Sequence, residues 1–461
     1  MEKAGKKLDI PKLILRKIIR PLYYKSRGWG SSLKYHEFIV NHEYESIETN
    51  TNVQKERLYR LIHHAVTNIP YYKQIAEGLG FSYTKETIFE DLKKLPVLTK
   101  EKIRKAGDDM MWPEYDGFLQ KNSSGGSTGE AIKLWQDKRY LYEVWTEYSN
   151  SLGNFEFGER NISLWGSERD IIAGTESFKV RFFNKFFYRT KMLNTFRMSE
   201  EEMFEFVHEM NKFKPKAIIA YAQSAYELAC FIEKKGLSIH SPRGIICSAG
   251  NLYPEMRMKI EAVFGTKAVN RYGSREVGNM ATECECQEGL HLNIFGHYLE
   301  ILNEKGEEVK DGEQGEIYVT LLTNYAMPLI RYQIGDMAVK TSRLCSCKRG
   351  WPLLESVTGR TVGVFKTKTG TLVDGIYFNF MFFGVDFIHR FQVIQEDYLK
   401  VSVNMVIPKK PSDEVWQRFC DDVRRRICLV LGDDCDIIFK IVSEIEPLAS
   451  GKYMYTISKV K

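Results

Sequence analysis

A segment rich in glycine and hydroxyl side chains, residues 123–130 (SSGGSTGE), is the first place where residue types and spacing could do chemistry. Glycine lets backbone N–H groups turn toward an anion, and serine and threonine hydroxyls add further donors. The segment therefore predicts a loop that binds phosphate groups. It is not a Walker-type loop, because no Gly-Lys-Ser or Gly-Lys-Thr follows the glycines. A solvated, flexible loop of the same composition is the alternative.

Polar and small residues recur directly after three apolar runs in the middle of the chain. The strand-like runs are residues 216–221, 243–248 and 267–271, and the helical segments between them are 223–235 and 253–264. This alternation predicts a parallel sheet covered by helices, in which ligands bind at the carboxyl ends of the strands. The segments found there are 221–224 (YAQS), 248–250 (SAG) and 272–276 (YGSRE).

The pattern changes after about residue 363. Strand patterns at 387–395 and 399–405 precede a helix that Ser412 can cap, and another strand pattern follows at 435–442. One stripe of this helix would hold Val415, Phe419, Val423 and Ile427. The expected fold class is α/β, with a basic arm at residues 1–50, a large domain of parallel sheet layers and helices at 51–360, and a small, mobile α+β domain at 361–461.

Several separated motifs occur in an order and spacing that a known family shares. They are HAVTNIPYYK (64–73), DLKKLPVLTKEKIR (91–104), SSGGSTGEAIKLW (123–135), KPKAIIAYAQSAYELA (214–229), SAGNLYPE (248–255), NRYGSREVGNMATEC (270–284), PLIRYQIGDMA (328–338), GR (359–360) and SGKYMYTISKV (450–460). From about residue 57 onward, the chain resembles the phenylacetate–CoA ligase-like branch of the adenylate-forming (acyl-CoA synthetase) superfamily, and within it the capsule-biosynthesis (CapK-type) relatives.

The resemblance implies an ATP- and Mg²⁺-dependent ligase that activates a carboxylic acid as its acyl-AMP. The acyl group would then pass to CoA or to an amine acceptor, and a role in surface-polysaccharide biosynthesis would fit the capsule-biosynthesis relatives. A catalytically degenerate relative that only binds a nucleotide or an acyl group is the alternative. Relatives are commonly dimers, which makes a homodimer possible, but the sequence itself does not indicate an oligomeric state.

The resemblance also assigns roles residue by residue. The ATP phosphates would lie on Ser124, Gly125, Gly126, Ser127, Thr128 and Gly129, and the adenine beside Ala249, Gly250, Tyr272 and Gly273, with Tyr272 stacked on it. Glu276 would help to hold Mg²⁺, Asp336 would accept hydrogen bonds from the ribose, Arg360 would lie at the domain junction, and Lys452 would reach the reacting groups from the small domain. The plainer alternatives are a turn residue for Asp336, a charge at a helix N-terminus for Glu276 and a solvated lysine for Lys452.

Relatives in this branch often carry a zinc site built from cysteine and histidine. The matching residues are Cys284, His291, Cys345 and Cys347, with Cys286 as the alternative to Cys284. Thiolate and imidazole ligands suit tetrahedral zinc, and four protein ligands would make the site structural. Thiols that hold no metal are the alternative.

The sequence departs from the family pattern at three places. Glu130-Ala131 follow the phosphate loop in place of lysine, and Thr361-Val362-Gly363 replace the usual hinge aspartates. The segment 366–383, which would line the CoA tunnel, is unusually aromatic. The acceptor, a CoA thiol or an amine, therefore stays open.

The net charge of +6 is concentrated at the N-terminus. Residues 1–30 hold nine lysines or arginines against two acidic residues, so the rest of the chain is nearly neutral and gives no reason to expect a nucleic-acid partner. Leu13, Ile14, Ile18, Ile19 and Leu22 recur at near-helical spacing in this stretch. Their face would dock on the body of the protein or, alternatively, lie on an anionic membrane. Nine cysteines in 461 residues and no secretory signal predict a cytoplasmic protein. A peripheral position at the inner membrane is compatible with this prediction.

Overall fold

The computed structural model describes most of the chain, and it leaves two predicted parts of the site outside the described residues: the phosphate loop 124–129 and Lys452. The described residues are 9–117, 119–123, 132–137, 142–165, 182–195, 198, 200–250, 252–360, 365–370, 372–373, 375–379, 381–382, 385, 387–388, 390–445 and 455–460. Their architecture is α/β, with a large eleven-stranded sheet, packed helices and a separate C-terminal domain.

The helices are α1 (Ile10–Ile14), a first π-helix (Leu15–Ile19), α2 (Arg20–Ser26), α3 (Gly30–Asn41), α4 (Ile47–Asn68), α5 (Pro70–Leu79), α6 (Ile88–Leu92), α7 (Lys100–Ala106), a 3₁₀ turn (Gly107–Met110), α8 (Tyr142–Leu152), a second π-helix (Asn184–Tyr188), α9 (Glu200–Phe213), α10 (Ala222–Lys235), α11 (Pro254–Phe264), α12 (Ile376–Asn379) and α13 (Asp413–Leu431). Within the described part of the chain, no helix combines the length and the apolar composition that crossing a bilayer requires.

The strands are β1 (Leu119–Ser123), β2 (Lys133–Asp137), β3 (Asn161–Leu164), β4 (Thr190–Leu193), β5 (Ala217–Tyr221), β6 (Gly244–Ser248), β7 (Ala268–Ser274), β8 (Gly278–Glu283), β9 (Leu290–Leu292), β10 (His297–Leu302), β11 (Gln314–Leu321), β12 (Tyr332–Lys340), β13 (Leu353–Arg360), β14 (Phe365–Lys366), β15 (Leu372–Val373), β16 (Arg390–Asp397), β17 (Lys400–Val406), β18 (Asp436–Ile441) and β19 (Thr456–Ser458).

The predicted parallel sheet is confirmed. Strands β3 to β7 pair in the order β7-β6-β5-β3-β4, with every pair parallel. Because both faces are covered, β6 is buried along its whole length, which explains its continuous apolar run. Helices α9, α10 and α11 cover one face through a core that includes Met210, Leu228 and Ile260.

The same sheet continues from β7 into an antiparallel half in the order β7-β8-β9-β13-β12-β11-β10. Helices α4 to α7 pack on this half in a core that includes Leu58, Leu92 and Tyr332. A residue-pair bridge between Leu98 and Tyr332 ties the early motif at 91–104 to the later motif at 328–338. Two of the family motifs therefore meet in space because they build one core.

The C-terminal part has the predicted β-β-α-β order, with sheet order β18-β17-β16-β19 and α13 packed on it. Ser412 caps α13, since its hydroxyl accepts a hydrogen bond from the Val415 N–H at 3.4 Å. The predicted stripe is wrong at one position: Val423 and Ile427 are buried, but Val415 at the first turn is 46% exposed. The domain boundary at residue 360 stays a prediction; β13 ends there.

The N-terminal helices contradict the expectation that the apolar stripe docks on the body. Leu13, Ile14, Ile18, Ile19 and Leu22 are all 42% to 63% exposed. The helices dock instead through Leu15, Arg20 and Tyr24, which are buried. Ion pairs to acidic groups on the body accompany this orientation, since Lys12 pairs with Glu159 and Arg20 pairs with Glu147.

Candidate active site

Three of the predicted nucleotide-site residues meet where β7, β12 and β13 come together. The Tyr272 hydroxyl donates a hydrogen bond of 2.8 Å to the Asp336 carboxylate. Arg360, the last residue of β13, is the backbone pairing partner of Asp336 on β12. Asp336 is only 8% exposed, so its carboxylate is held in place and partly shielded from water. The arrangement offers an acceptor-only group beside an aromatic ring.

Glycines position both of these side chains. Gly335, which precedes Asp336, has φ +82°, a backbone conformation that L side chains rarely adopt. At Gly273, a Cβ atom would lie 2.7 Å from the Gly278 carbonyl oxygen, so only glycine fits beside Tyr272. The IGD and YGS motifs therefore need their glycines for local geometry.

The loop after β6 carries the second predicted adenine segment. Ala249 has φ +57°, which is uncommon for a residue with a side chain and is typical of strained functional loops. The Ser248 hydroxyl donates to the Arg271 carbonyl at 3.1 Å and fixes the end of β6 against β7. A Cβ atom on Gly250 would meet nothing within 4 Å, so open space lies beside it. This space is at the carboxyl end of the parallel strands, where ligands bind.

Glu276 lies in the turn between β7 and β8 and is 4% exposed. The hairpin β1-β2 is fastened to this turn, because Gln136 donates to the Glu276 carbonyl at 3.0 Å and Asn122 donates to the Arg275 carbonyl at 2.6 Å. β1 and β2 flank the predicted phosphate loop in sequence. The strands on either side of that loop are therefore fixed to the segment that carries Glu276.

A polar wall that the sequence predictions did not include lies between α8 and the strands β7 and β8. The Asn279 amide donates to the Thr146 hydroxyl at 2.7 Å, and the Arg271 guanidinium donates to Asn150 at 2.9 Å. Thr146 and Asn150 also line a cavity of about 280 Å³. The only sequence signal was an arginine directly before the Tyr-Gly motif, at a position where the strand pattern favours an apolar residue.

Arg271 places a buried positive charge in this wall. It is 7% exposed, and its Nε atom has no hydrogen-bond partner among the described residues. Burial lowers the pKa of the guanidinium to about 10, so the side chain is still charged at neutral pH. A buried cation of this kind favours an anionic or strongly polar ligand.

The sequence predictions also missed a buried arginine, Arg331, that connects β12 to the segment before α7. Arg331 has φ +51° and forms a buried ion pair with Glu300 at 2.9 Å. Its guanidinium also donates to the carbonyls of Lys93 and Leu95, at 2.9 Å and 2.6 Å. Arg331 thus joins the start of β12, which leads to Asp336, to the segment before α7. Its role is to hold the Asp336 strand in register.

The predicted metal ligands form one compact group. The donor atoms of Cys284, His291, Cys345 and Cys347 all lie within 4.8 Å of one another. The Cys284 and Cys345 sulfurs are 3.6 Å apart, and the Cys347 sulfur is 3.4 Å from His291 Nε2. A tetrahedral zinc ion with ordinary bond lengths would separate its ligands by about 3.5 to 3.8 Å. Cys286 is outside the group; its backbone N–H donates to the Cys284 sulfur instead.

The surroundings of this group suit a neutral imidazole and a bound cation. Burial lowers the pKa of His291 to about 4, so the ring is neutral, which is the form that binds a metal. Burial raises the pKa of the Cys284 thiol to about 11, so thiolates there need a positive partner. The group belongs to a core with Trp145, Phe295 and Trp351. It therefore joins α8 to the antiparallel half of the sheet.

Residues 365–459 match the family described as the CapK C-terminal domain. Over its length, the chain is 22% identical to protein CapK of Staphylococcus aureus, covering 92% of this chain and 93% of that protein. It is 24% identical to phenylacetate-coenzyme A ligase of Thermus thermophilus, covering 67% of this chain and 70% of that enzyme.

Among solved structures, the fold is similar to that of 2-hydroxyisobutyryl-CoA ligase in the postadenylation state in complex with R3-HIB-AMP. The TM-score is 0.65 at 15% identity, and the match covers 91% of each chain. This likeness concerns the fold, and it extends over both the large sheet and the C-terminal domain. Sequence and fold agree that the chain resembles the phenylacetate–CoA ligase-like, CapK-type branch of the adenylate-forming superfamily.

Proposed function

We propose that this protein is an adenylate-forming ligase that activates a carboxylic acid with ATP. The observation that carries the proposal is the hydrogen bond between Tyr272 and Asp336, with the backbone of Arg360 paired to that of Asp336 and with Glu276 on the turn that follows β7. Asp336 would accept hydrogen bonds from the ribose hydroxyls, and the Tyr272 ring would cover the adenine. The open space at Gly250 would take the other face of the base.

The chemistry explains the charges of the proposed catalytic residues. A carboxylate oxygen of the acid attacks the α-phosphorus of ATP, an acyl-AMP forms, and pyrophosphate leaves. Since this step brings anions together, it needs cations that neutralise the developing charge. Lys452 and Arg360 would supply positive charge, and residues 124–129 would hold the leaving phosphates with backbone N–H groups. Glu276 would help to hold Mg²⁺, which neutralises phosphate charge when it is bound.

The acid would carry a second polar or anionic group. Its activated carboxylate would lie near Gly273, and the far end would reach the wall of Arg271, Asn150 and Thr146. An oxygen anion on the substrate would give the Arg271 Nε atom a charge-assisted hydrogen bond. A purely aromatic acid such as phenylacetate would leave this cation without compensation, so it is a poorer fit to the same wall.

The acceptor in the second half-reaction is a CoA thiol or an amine. The phenylacetate-coenzyme A ligase relatives favour CoA. The aromatic segment 366–383 favours an amine, because it lacks the glycine-rich, proline-containing pattern expected for a CoA tunnel. The resemblance of the sequence motifs to capsule-biosynthesis relatives favours a role in surface-polysaccharide biosynthesis.

The cysteine–histidine group is proposed to bind one zinc ion with a structural role. The four donor atoms fit tetrahedral coordination, and all four positions would be filled by the protein, which leaves none for a substrate. The group joins α8, which carries the polar wall, to the loop at 345–347. Zinc would therefore stabilise one wall of the acid pocket without contacting the reacting atoms.

Acid-dependent exchange of labelled pyrophosphate into ATP tests the proposal, with a panel of dicarboxylic, hydroxy, amino, aryl and fatty acids. The Lys452→Ala variant should reduce exchange by at least about a hundredfold, because one transition-state cation is lost. The control is Lys459→Ala, which removes an exposed ion pair with Glu396 in the same domain.

No exchange with any acid, combined with tight ATP binding, would favour the degenerate nucleotide-binding alternative. The altered residues 361–363 at the hinge are the feature that favours that alternative. Equal exchange in wild type and Lys452→Ala would contradict the assigned role of Lys452.

A further inference from the structure

The N-terminal helices present their charged side to the protein. Lys12 forms ion pairs with Glu156 at 2.5 Å and Glu159 at 2.8 Å, and Asp9 forms one with Arg189 at 2.9 Å. These contacts use charged side chains that an amphipathic surface helix would ordinarily direct to water.

Arg20 completes this inward side. It is 4% exposed, pairs with both oxygens of Glu147, and lies over the Phe157 ring at 4.6 Å. Leu15 and Tyr24 are buried on the same side. The helices are therefore firmly docked, and the docking fixes which side chains point away from the protein.

The side that points away is apolar, and we call it the apolar outer face. Its members are Ile10, Leu13, Ile14, Ile18, Ile19 and Leu22, with exposed fractions of 58%, 43%, 43%, 54%, 42% and 63%. A helix surface that only faces water has no need of six exposed aliphatic side chains within thirteen residues. Scattered exposed leucines need no explanation, but a continuous apolar patch usually marks an interaction surface.

A second element extends this surface. Tyr23 on α2 contacts Phe183 and Phe187 of the helical residues 182–188, at ring-centroid distances of 5.2 and 5.1 Å. On that neighbouring helix, the ring centroids of Phe182 and Phe186 are 4.5 Å apart, and the two side chains are 53% and 52% exposed. The N-terminal helices and residues 182–188 together hold eight of the twenty large apolar side chains that are exposed in the described part of the chain.

The charge around this surface is positive. The N-terminal helices, the turn that follows α2 and residues 182–188 carry exposed cations, among them Lys17, Lys25, Arg27 and Lys185. The exposed ionisable side chains within residues 10–28 and 182–188 are all basic. One partly exposed carboxylate, Glu156, is adjacent and is paired with Lys12 and Arg16. An apolar surface whose own exposed ionisable side chains are all cations is complementary to an anionic bilayer, where aliphatic and aromatic side chains enter the headgroup boundary and lysines contact the phosphates.

We propose that the apolar outer face, together with Phe182 and Phe186, binds the surface of an anionic membrane, with the N-terminal helices parallel to the bilayer plane. A second copy of the chain fits less well, because a two-fold interface would place the same cations opposite one another. Burial against this chain's own body fits less well too, because the inward side of the helices already has its partners. Tyr24, on the inward side of these helices, lines the cavity beside Thr146 and Asn150, whereas the proposed membrane surface is on the outward side.

Cosedimentation of the full-length protein with vesicles tests this proposal. The vesicles contain phosphatidylglycerol in phosphatidylcholine, or phosphatidylcholine alone. Binding should be strong only to the anionic vesicles and should weaken at high salt, because salt screens the lysines. The Ile18→Gln/Leu22→Gln double variant should bind at least about tenfold more weakly, since it removes apolar area from the outer face. Phe186→Ser on the second helix should weaken binding independently.

The matched control is Met258→Gln/Leu429→Gln, which replaces two side chains of similar exposure (63% and 80%) far from this surface in sequence. It should bind like the wild type. Melting temperature in the absence of lipid shows whether each variant is folded. Equal vesicle binding by the folded double variant and the control would overturn the proposal. So would the absence of vesicle binding by wild type, or a lipid-independent dimer that only the outer-face variants dissociate.

Discussion

Tyr272 and Asp336 are joined by a 2.8 Å hydrogen bond, although three strands lie between β7 and β12 in the sheet. In a flat sheet, strands four steps apart are separated by about 19 Å, more than one tyrosine side chain can span. The sheet must therefore fold back between β7 and β12. This fold joins the proposed adenine side of the site to the proposed ribose side.

Replacement of Asp336 tests the ribose assignment. Asp336→Asn keeps the size of the side chain but loses its charge and part of its accepting capacity, so ATP affinity should fall about tenfold or more. Tyr272→Phe should have a smaller effect, because the ring that would cover the adenine stays. Calorimetric titration of ATP measures both.

Asp311→Asn is the control for this pair, since Asp311 is an exposed aspartate bonded to Ser342. It should leave ATP affinity unchanged. An Asp336→Asn variant that binds ATP as tightly as the Asp311 control would contradict the assignment.

Arg271 should determine which acids are used. In Arg271→Met, kcat/KM for acids with a second anionic group should fall about a hundredfold, because a buried charge-assisted hydrogen bond is lost. Uncharged acids of similar length should lose little, so preference moves toward them. Pyrophosphate exchange with matched pairs, a dicarboxylic acid and its monocarboxylic analogue, measures the change.

The exposed Lys259, which pairs with Glu233, offers a control variant in Lys259→Met. It should keep the wild-type preference. If Arg271→Met lowers exchange equally for charged and uncharged acids, Arg271 supports the fold of the pocket and does not select the substrate.

Metal analysis tests the cysteine–histidine group. The purified protein should contain about one zinc per chain, and Cys284→Ser should lose most of it, because a tetrahedral site lacks a ligand. Cys286→Ser is the matched variant, and it should retain zinc since Cys286 lies outside the group. Zinc loss should lower the melting temperature by about 5 °C or more. Comparable zinc content in the two variants would exclude the proposed ligand set.

Removing one partner of the buried Arg331–Glu300 pair should cost more stability than removing one partner of an exposed pair. In Arg331→Met, Glu300 stays buried without its partner, which costs about 3 to 5 kcal/mol of unfolding free energy. The double variant Arg331→Met/Glu300→Leu should recover part of this loss. Urea unfolding measures each variant, with the exposed Lys459→Met as the control, expected below about 1 kcal/mol. If Arg331→Met loses no more unfolding free energy than Lys459→Met, the buried Glu300 carboxylate is compensated by a group other than Arg331.

The sequence predicted the parts whose signals are local. The strands β5, β6 and β7 and the helices between them follow from apolar periodicity, and the capping role of Ser412 follows from residue type. The cysteine–histidine set was predicted from the family resemblance, and in the structure Cys284, not Cys286, lies with the other three side chains.

The parts that the sequence did not reveal depend on contacts between distant residues. Arg271 meets Asn150 across 121 positions, and no local pattern encodes that contact. The N-terminal stripe shows a related limit: periodicity identifies which side chains share a face, but Glu147 on α8 helps to decide which face is buried.

The most direct test of the central claim follows one oxygen atom. An acid that supports exchange is labelled with ¹⁸O in its carboxylate and converted to product with ATP and an acceptor, and the AMP is examined by mass spectrometry. If the acid attacks the α-phosphorus, one carboxylate oxygen leaves with AMP, so the AMP should carry one ¹⁸O per turnover. Unlabelled AMP, or ADP with labelled inorganic phosphate, would contradict an acyl-AMP intermediate and with it the proposed function.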